Sequence, residues 1–236
     1  MRILVVVAHP DDDILGVGGT MLKHSNKGDT IKVIFLATGI TSRKKSGHTN
    51  STKYEISEKE EKVLSEEIKI LRFQAKKACK LLSVNNVDFY DFPDNEMDSI
   101  PLLKVIKTIE KEINDFKPEK IFTHHYGDLN IDHRVAYNAT ITACRPINNT
   151  VKEIICFEVP SSTEWNYPNT FVPNYFVNIS KQLDKKIKAM EVYTSEIQKF
   201  PHPRSSEYLK INANRWGGVS GNIAAEAFEI IRKIDK

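Results

Sequence analysis

Two short stretches of this 236-residue chain concentrate side chains able to hold a cation or move a proton. The first is Ala8-His9-Pro10-Asp11-Asp12-Asp13, and the second is Gly127-Asp128-Leu129-Asn130-Ile131-Asp132-His133-Arg134. His9 and Asp12 stand three apart where a strand feeds a helix, so both can face one point, and Pro10 narrows the backbone between them. His133 is placed to close a two-histidine, one-carboxylate set. Three nitrogen and oxygen ligands with no thiolate leave a fourth position open to water, the pattern of catalytic rather than structural zinc. Two adjacent carboxylates do not easily bind one ion, so either Asp11 or Asp12 is left over. A carboxylate beside a metal-bound water is placed to take its proton, and the chemistry would be metal-assisted hydrolysis. The same residues admit a plainer use, with Asp12 or Asp13 capping one helix and Asp132 capping another.

The elements that must position these residues alternate. Ile3-Leu4-Val5-Val6-Val7 is a β-branched run of the kind buried on both faces of a parallel sheet. A small-residue helix carrying Gly16, Gly18 and Gly19 follows, and these glycines permit close helix packing. Then come a strand over 31–37, a polar loop over 40–57 and a helix over 58–82, where Leu64, Ile68, Leu71, Ala75, Ala78 and Leu82 recur every three or four residues. A strand over 87–92 ends in a Pro93-Asp94-Asn95 turn, and a helix built on Leu102, Ile106, Ile109, Ile113 and Phe116 leads to a strand over 120–123. Four such alternations predict a doubly wound parallel sheet, in which ligands bind beyond the carboxyl ends of the strands. Both acidic clusters fall at such ends. Past Pro146 the rhythm changes to strands over 154–157 and 175–179 and helices near 181–197 and 222–234. No linker or repeat intervenes, so the reading is a single domain, 1–236, with a core over 1–146 and an extension over 147–236.

Composition excludes several classes. Lys and Arg number 34 against 31 Asp and Glu, with 28% charged and 40% hydrophobic residues. That balance fits an ordinary globular protein and gives no reason to expect a nucleic-acid partner. The longest apolar run, Ile3 to Ala8, is far below the ~20 residues needed to cross a bilayer, and a proline and three aspartates follow it, unlike a secretory signal. The expectation is a cytoplasmic protein. Cys79, Cys144 and Cys156 are odd in number without CxxC spacing, which predicts buried thiols in a reduced compartment.

The string AHPDDDILGVGGT followed by GDLNIDHR resembles the PIG-L (LmbE-like) family of zinc-dependent N-deacetylases, and the likeness continues through FPDN at 92–95, PHPRS at 201–205 and AEAF at 225–228. The resemblance implies a Rossmann-like fold, a zinc ion (iron(II) being a possible substitute) held by His9, Asp12 and His133, and Asp11 as the general base. It implies a small-molecule partner, an N-acetylated amino sugar or sugar conjugate, and is compatible with a homo-oligomer. Hydrolysis of another N-acyl or thiol-conjugate amide, or a metal-free nucleotide- or sugar-binding module, are the competing readings. Two departures stand out. Asp13 replaces a frequent glutamate, and Asn130 stands where many members carry the first histidine of an HxDH motif. An amide can donate a hydrogen bond to an oxyanion but cannot deliver a proton. Protonation of the leaving amine then falls to Asp11, acting as base and afterwards as acid, or to His202. Asp132, which would orient the missing histidine, is left to hold Asn130 or His133. The family's equivalent of Asp94 contacts substrate, although a plain turn aspartate is an equal reading. His124 and His125 end a strand near the site and can be rim or core residues. Arg72 resembles a substrate-binding arginine one residue out of register, and Trp165 and Trp216 could stack on a sugar or fill the core.

Overall fold

The computed structural model describes residues 1–40, 58–147, 150–168 and 170–235, so most of the polar loop at 40–57, with Arg43, Lys44 and Lys45, lies outside the described residues. The strands are β1 (Arg2–Val7), β2 (Thr30–Ala37), β3 (Asn86–Phe92), β4 (Lys120–His124), β5 (Glu153–Phe157), β6 (Tyr175–Asn178) and β7 (Ala225–Lys233). The helices are α1 (Asp12–Ser25), α2 (Glu58–Leu81), α3 (Leu102–Phe116), α4 (Ile131–Ala143), α5 (Leu183–Met190) and α6 (Ser206–Ser220). The seven strands form one sheet in the order β3-β2-β1-β4-β5-β7-β6, parallel from β3 to β5, with β7 antiparallel to both its neighbours.

Strand β1 is the middle one of the five parallel strands, and its residues are apolar on both faces. Ile3, Val5 and Val7 pack with α1, α2 and α5, whereas Leu4 and Val6 pack with α3 and α4. The chain leaves β1 towards β2 on one side and pairs with β4 on the other, in register Ile3↔Lys120 to Val5↔Phe122. Here the strand order reverses, the position at which open α/β sheets bind their ligands. The loop after β1 carries His9 to Asp13, and the loop after β4 leads into Asn130 to His133. Adjacency of β1 and β4 therefore brings together residues more than 120 positions apart.

Helix α1 lies very close to the sheet: a Cβ on Gly16 would stand 2.2 Å from the Phe157 ring. Its central turn is also braced from the C-terminal region. Gly19 N–H and Thr20 N–H donate to Glu226, while Lys186 Nζ donates to both Glu226 and the Leu15 carbonyl.

Two expectations for the C-terminal region are corrected. The segment expected as a helix at 222–234 is strand β7, inserted between β5 and β6, and the helix precedes it as α6, whose first turn is capped by Ser205 Oγ and which ends at Gly221, φ 69°. The helix expected near 181–197 is shorter, ending at Met190. The three cysteines are buried and unbridged. Among the described residues no helix is long and apolar enough to cross a membrane.

Candidate metal centre

The turn out of β1 places the first cluster. Asp12 Oδ2 accepts the His9 backbone N–H at 2.8 Å and so folds back over the loop. Asp11, at the N-cap position of α1, has φ 111° and ψ −30°, a conformation that non-glycine residues rarely adopt. Its side chain makes no capping hydrogen bond. The plainer capping reading of Asp12 and Asp13 is thereby displaced. At the second cluster the cap is Asn130, whose side-chain oxygen accepts the Asp132 N–H at 2.8 Å, so Asp132 is not the cap either.

His9, Asp12 and His133 converge. His9 Nδ1 lies 3.4 Å from Asp12 Oδ2, His133 Nε2 lies 3.3 Å from the same oxygen, and the two imidazole nitrogens are 3.3 Å apart. A tetrahedral ion with bonds of about 2.0–2.1 Å has ligand–ligand edges of about 3.3–3.4 Å, so these three atoms have the dimensions of one face of such a polyhedron. All three residues are buried, and the second oxygen of Asp12 has no hydrogen-bond partner among the described residues. Two imidazole nitrogens facing each other at this distance need a shared proton or cation between them. The donor set fits a divalent metal.

The outer nitrogen of each imidazole meets a carboxylate. His9 Nε2 is 2.9 Å from Asp132 Oδ2 and 3.2 Å from Asp94 Oδ1, and His133 Nδ1 is 3.1 Å from Asp128 Oδ1. The His9–Asp132 hydrogen bond is the arrangement that fixes the tautomer and aim of a metal-binding histidine, and Asp128 is the charge partner of His133. Asp132 is itself held by Asn95 N–H at 2.6 Å and Met97 N–H at 3.0 Å; Asp128 is held by Asn130 N–H, Thr163 Oγ1 and Ser162 Oγ. His9, Asp94 and Asp132 also cluster closely enough to suit a cation. The 2.9 Å His9–Asp132 contact is an ordinary hydrogen-bond length, however, and both Asp132 oxygens already accept backbone N–H groups, so this group reads as the support of His9.

Several expected partners change. The Asp132 carboxylate holds His9, not His133, and Asp132 meets the Asn130 side chain only through its backbone N–H. Asp94 is 1% exposed and faces His9, which makes it an orienting carboxylate as placed. The Asn130 amide donates to Asn95 Oδ1 at 2.8 Å, so both ends of the side chain are engaged. His202 Nδ1 accepts the Arg204 N–H and its ring meets Trp165 edge-on. It is Arg204, not His202, that reaches the first cluster, with Nη1 3.2 Å from Asp11 Oδ2. His124 accepts the Ala8 N–H on Nε2 and stacks on His133 at 4.0 Å, whereas His125, just past the end of β4, points to Glu229. Arg72 binds Asp91 and the Tyr90 carbonyl. Trp216 is buried with its N–H on Glu158, and Trp165 is exposed. Sequence reading passed over Asp128 and Arg204, though each stood inside a quoted motif; Asp128, five residues before His133, was the more visible signal.

The electrostatics follow from burial. Asp11, Asp12, Asp94, Asp128 and Asp132 are all buried here, facing two imidazoles and one guanidinium. Burial disfavours a protonated His133, but Asp12 and Asp128 outweigh it and lift its pKa to about 9. His9 is likewise held well above the ordinary imidazole value, its hydrogen bonds to Asp12, Asp132 and Asp94 overcoming burial. His124, buried and beside His133, is pushed down to about 3 and stays neutral. Burial drives the Asp11 carboxyl well above the usual range, with Arg204 pulling the other way. A carboxyl whose affinity for a proton is raised in this way suits general acid–base work.

Comparison with known proteins adds a family and a set of relatives. The family model described as PIG-L: GlcNAc-PI de-N-acetylase matches residues 4–144. The chain is 26% identical over 199 residues to the uncharacterized deacetylase YaiS of Escherichia coli (strain K12), covering 82% of this chain and 90% of that protein. It is 25% identical over 242 residues to the diacetylchitobiose deacetylase of Thermococcus kodakarensis, covering 98% and 83%. Its fold matches the crystal structure of N,N'-diacetylchitobiose deacetylase from Pyrococcus horikoshii with a TM-score of 0.69 at 22% identity, over 98% of this chain and 84% of that one.

Proposed function

The chain belongs to the PIG-L, GlcNAc-PI de-N-acetylase, family, and from that premise we propose that it is a zinc-dependent hydrolase removing an N-acetyl group from an amino sugar or sugar conjugate. The observation that carries this reading is the triangle of His9 Nδ1, Asp12 Oδ2 and His133 Nε2, with edges of 3.3 to 3.4 Å. Zinc, or iron(II) where that is the available ion, would be held by these three residues and would supply Lewis-acid activation of water and of the amide carbonyl. Relatives named as chitobiose deacetylases support a carbohydrate amide as the substrate class.

The chain's own residues do the rest. Asp132 and Asp94 fix His9, and Asp128 fixes His133, so the two inner nitrogens present lone pairs to one point. Asp11 accepts a proton from the attacking water as its oxygen bonds to the amide carbon. The same carboxyl then returns that proton to the amine nitrogen as the carbon–nitrogen bond breaks, which releases acetate and a free amine. Asn130 cannot deliver that proton, and its proposed part is to cap α4 and keep His133 in place. His202 is left without a proton-transfer role, because its contacts run to Arg204 and Trp165.

The test is free-amine release from a panel of N-acetylated sugars, sugar nucleotides and sugar–thiol conjugates, with and without chelator. Release from at least one N-acetyl sugar, abolished by chelator and by His9→Ala and restored in the native chain by zinc, is the expected result. Release indifferent to chelator and to His9→Ala would contradict the proposal.

A further inference from the structure

Within the first cluster Asp12 is held by the His9 N–H and Asp13 by Cys79 and Tyr193, whereas Asp11 makes no such bond through Oδ2. Its backbone turns at φ 111°, its carboxylate makes no helix-capping bond, and Oδ2 has no hydrogen-bond partner among the described residues. What stands beside that oxygen is Arg204 Nη1 at 3.2 Å. Arg204 is in turn fixed at two further points. Its Nε–H donates to Ser161 Oγ at 2.9 Å, and Nη1 donates to Glu196 Oε2 at 2.8 Å. Glu196 is 2% exposed, and Ser195 Oγ donates to its other oxygen at 3.1 Å. A guanidinium can serve a hydroxyl and two carboxylates at once because its donors form a rigid planar fork; an ammonium on a flexible stem cannot copy that arrangement.

We infer that Arg204, anchored by Ser161 and Glu196, is the positioning residue for Asp11. The proposal rests on Asp11 being the base. It goes further in assigning the aim of that base to the C-terminal region, since Ser161, Glu196 and Arg204 all lie outside the 4–144 segment that the family model matches. Without the guanidinium the carboxylate turns freely about its own side-chain bonds, and a misplacement of about 1 Å at a reacting group costs about 10²-fold in rate.

The experiment compares wild type, Asp11→Asn, Arg204→Ala, Arg204→Lys and Asp11→Asn/Arg204→Ala on the best substrate, with zinc content and melting temperature measured for each. Asparagine is chosen at position 11 because it tolerates positive φ better than most residues. Arg204→Ala is expected to lower kcat about 10²-fold with KM within about twofold, at unchanged zinc content. Added guanidinium ion should recover part of that loss, Arg204→Lys should recover little, and Arg204→Ala should cost nothing further in the Asp11→Asn background. A crystal structure of metal-free Arg204→Ala should show the Asp11 carboxylate displaced while His9, Asp12 and His133 keep their places. Should Arg204→Ala fold poorly, Glu196→Gln, of the same size, should still lower kcat with KM nearly unchanged. An Arg204→Ala or Glu196→Gln enzyme with native kcat, or an equal Arg204→Ala loss with and without Asp11→Asn, overturns the inference and leaves the base reading intact. A fully active Asp11→Asn enzyme would sink the base reading itself, and the inference with it.

Discussion

Each imidazole at the centre of this site has one nitrogen turned to a carboxylate and the other turned to its neighbour. In the ion-free protein the surrounding carboxylates favour the protonated rings, lifting the His133 pKa to about 9 and holding His9 well above the ordinary value, and the two facing nitrogens share one proton. A metal binds the neutral ring, so binding must expel that proton. Calorimetry of zinc binding at pH 7 in buffers of different ionisation enthalpy should report release of about one proton per ion from this pair. Buffer-independent heats would contradict this. Asp13 gives a separate test. It is buried against Cys79 Sγ and Tyr193 Oη with no cation beside it among the described residues, and burial raises its pKa to about 6. A raised carboxyl pKa means stability that is complete below the unfolded value near 3.8 and lost as pH climbs through about 6. Asp13→Asn, which stays neutral, should therefore gain on the native chain at pH 8, by up to about 3 kcal/mol, and lose most of that advantage by pH 4. Denaturant midpoints at the two pH values check it, and an advantage independent of pH would refute it.

At the level of elements, the site depends on how closely α1 lies on the sheet. Gly16→Ala would put a methyl group 2.2 Å from the Phe157 ring, so ring or helix must move. The expected cost is about 1–3 kcal/mol in unfolding free energy, with weaker zinc binding because α1 carries Asp12. Unchanged stability and affinity would show that the contact is slack. The elements that position the first cluster were legible because their signals are local: a β-branched run for β1, and apolar spacings of three and four for α2 and α3. The C-terminal strand was not. Ala224, Phe228 and Ile231 repeat at helical spacing amid alanine, glutamate and lysine, all good helix formers. Pairing with β5 on one edge and β6 on the other outweighs that preference, and such pairing is non-local. The same distinction holds within the site. His9, Asp12 and His133 sit in compact motifs, whereas Arg204 reaches Asp11 across 193 positions through contacts with Ser161 and Glu196 that no local pattern encodes.

Taken whole, the molecule has one sheet that runs through both its parts. Strands β5, β6 and β7 lie beyond Pro146, yet β5 pairs with β4, and one core cluster includes Val5, Phe157 and Phe228 together. The chain should therefore unfold in a single transition, coincident by fluorescence and circular dichroism, and a fragment ending at residue 146 should not fold alone. Two separated transitions, or a native-like fragment, would divide the domain. The central claim is that His9, Asp12 and His133, drawn to one point by the adjacency of β1 and β4, hold a single catalytic ion. X-ray absorption at the zinc edge of the purified protein tests it most directly. The account predicts about one ion per chain in a four-coordinate shell of nitrogen and oxygen containing two imidazoles, with one imidazole lost in His133→Ala. A sulfur ligand, or a native shell that His133→Ala leaves unaltered, would contradict it.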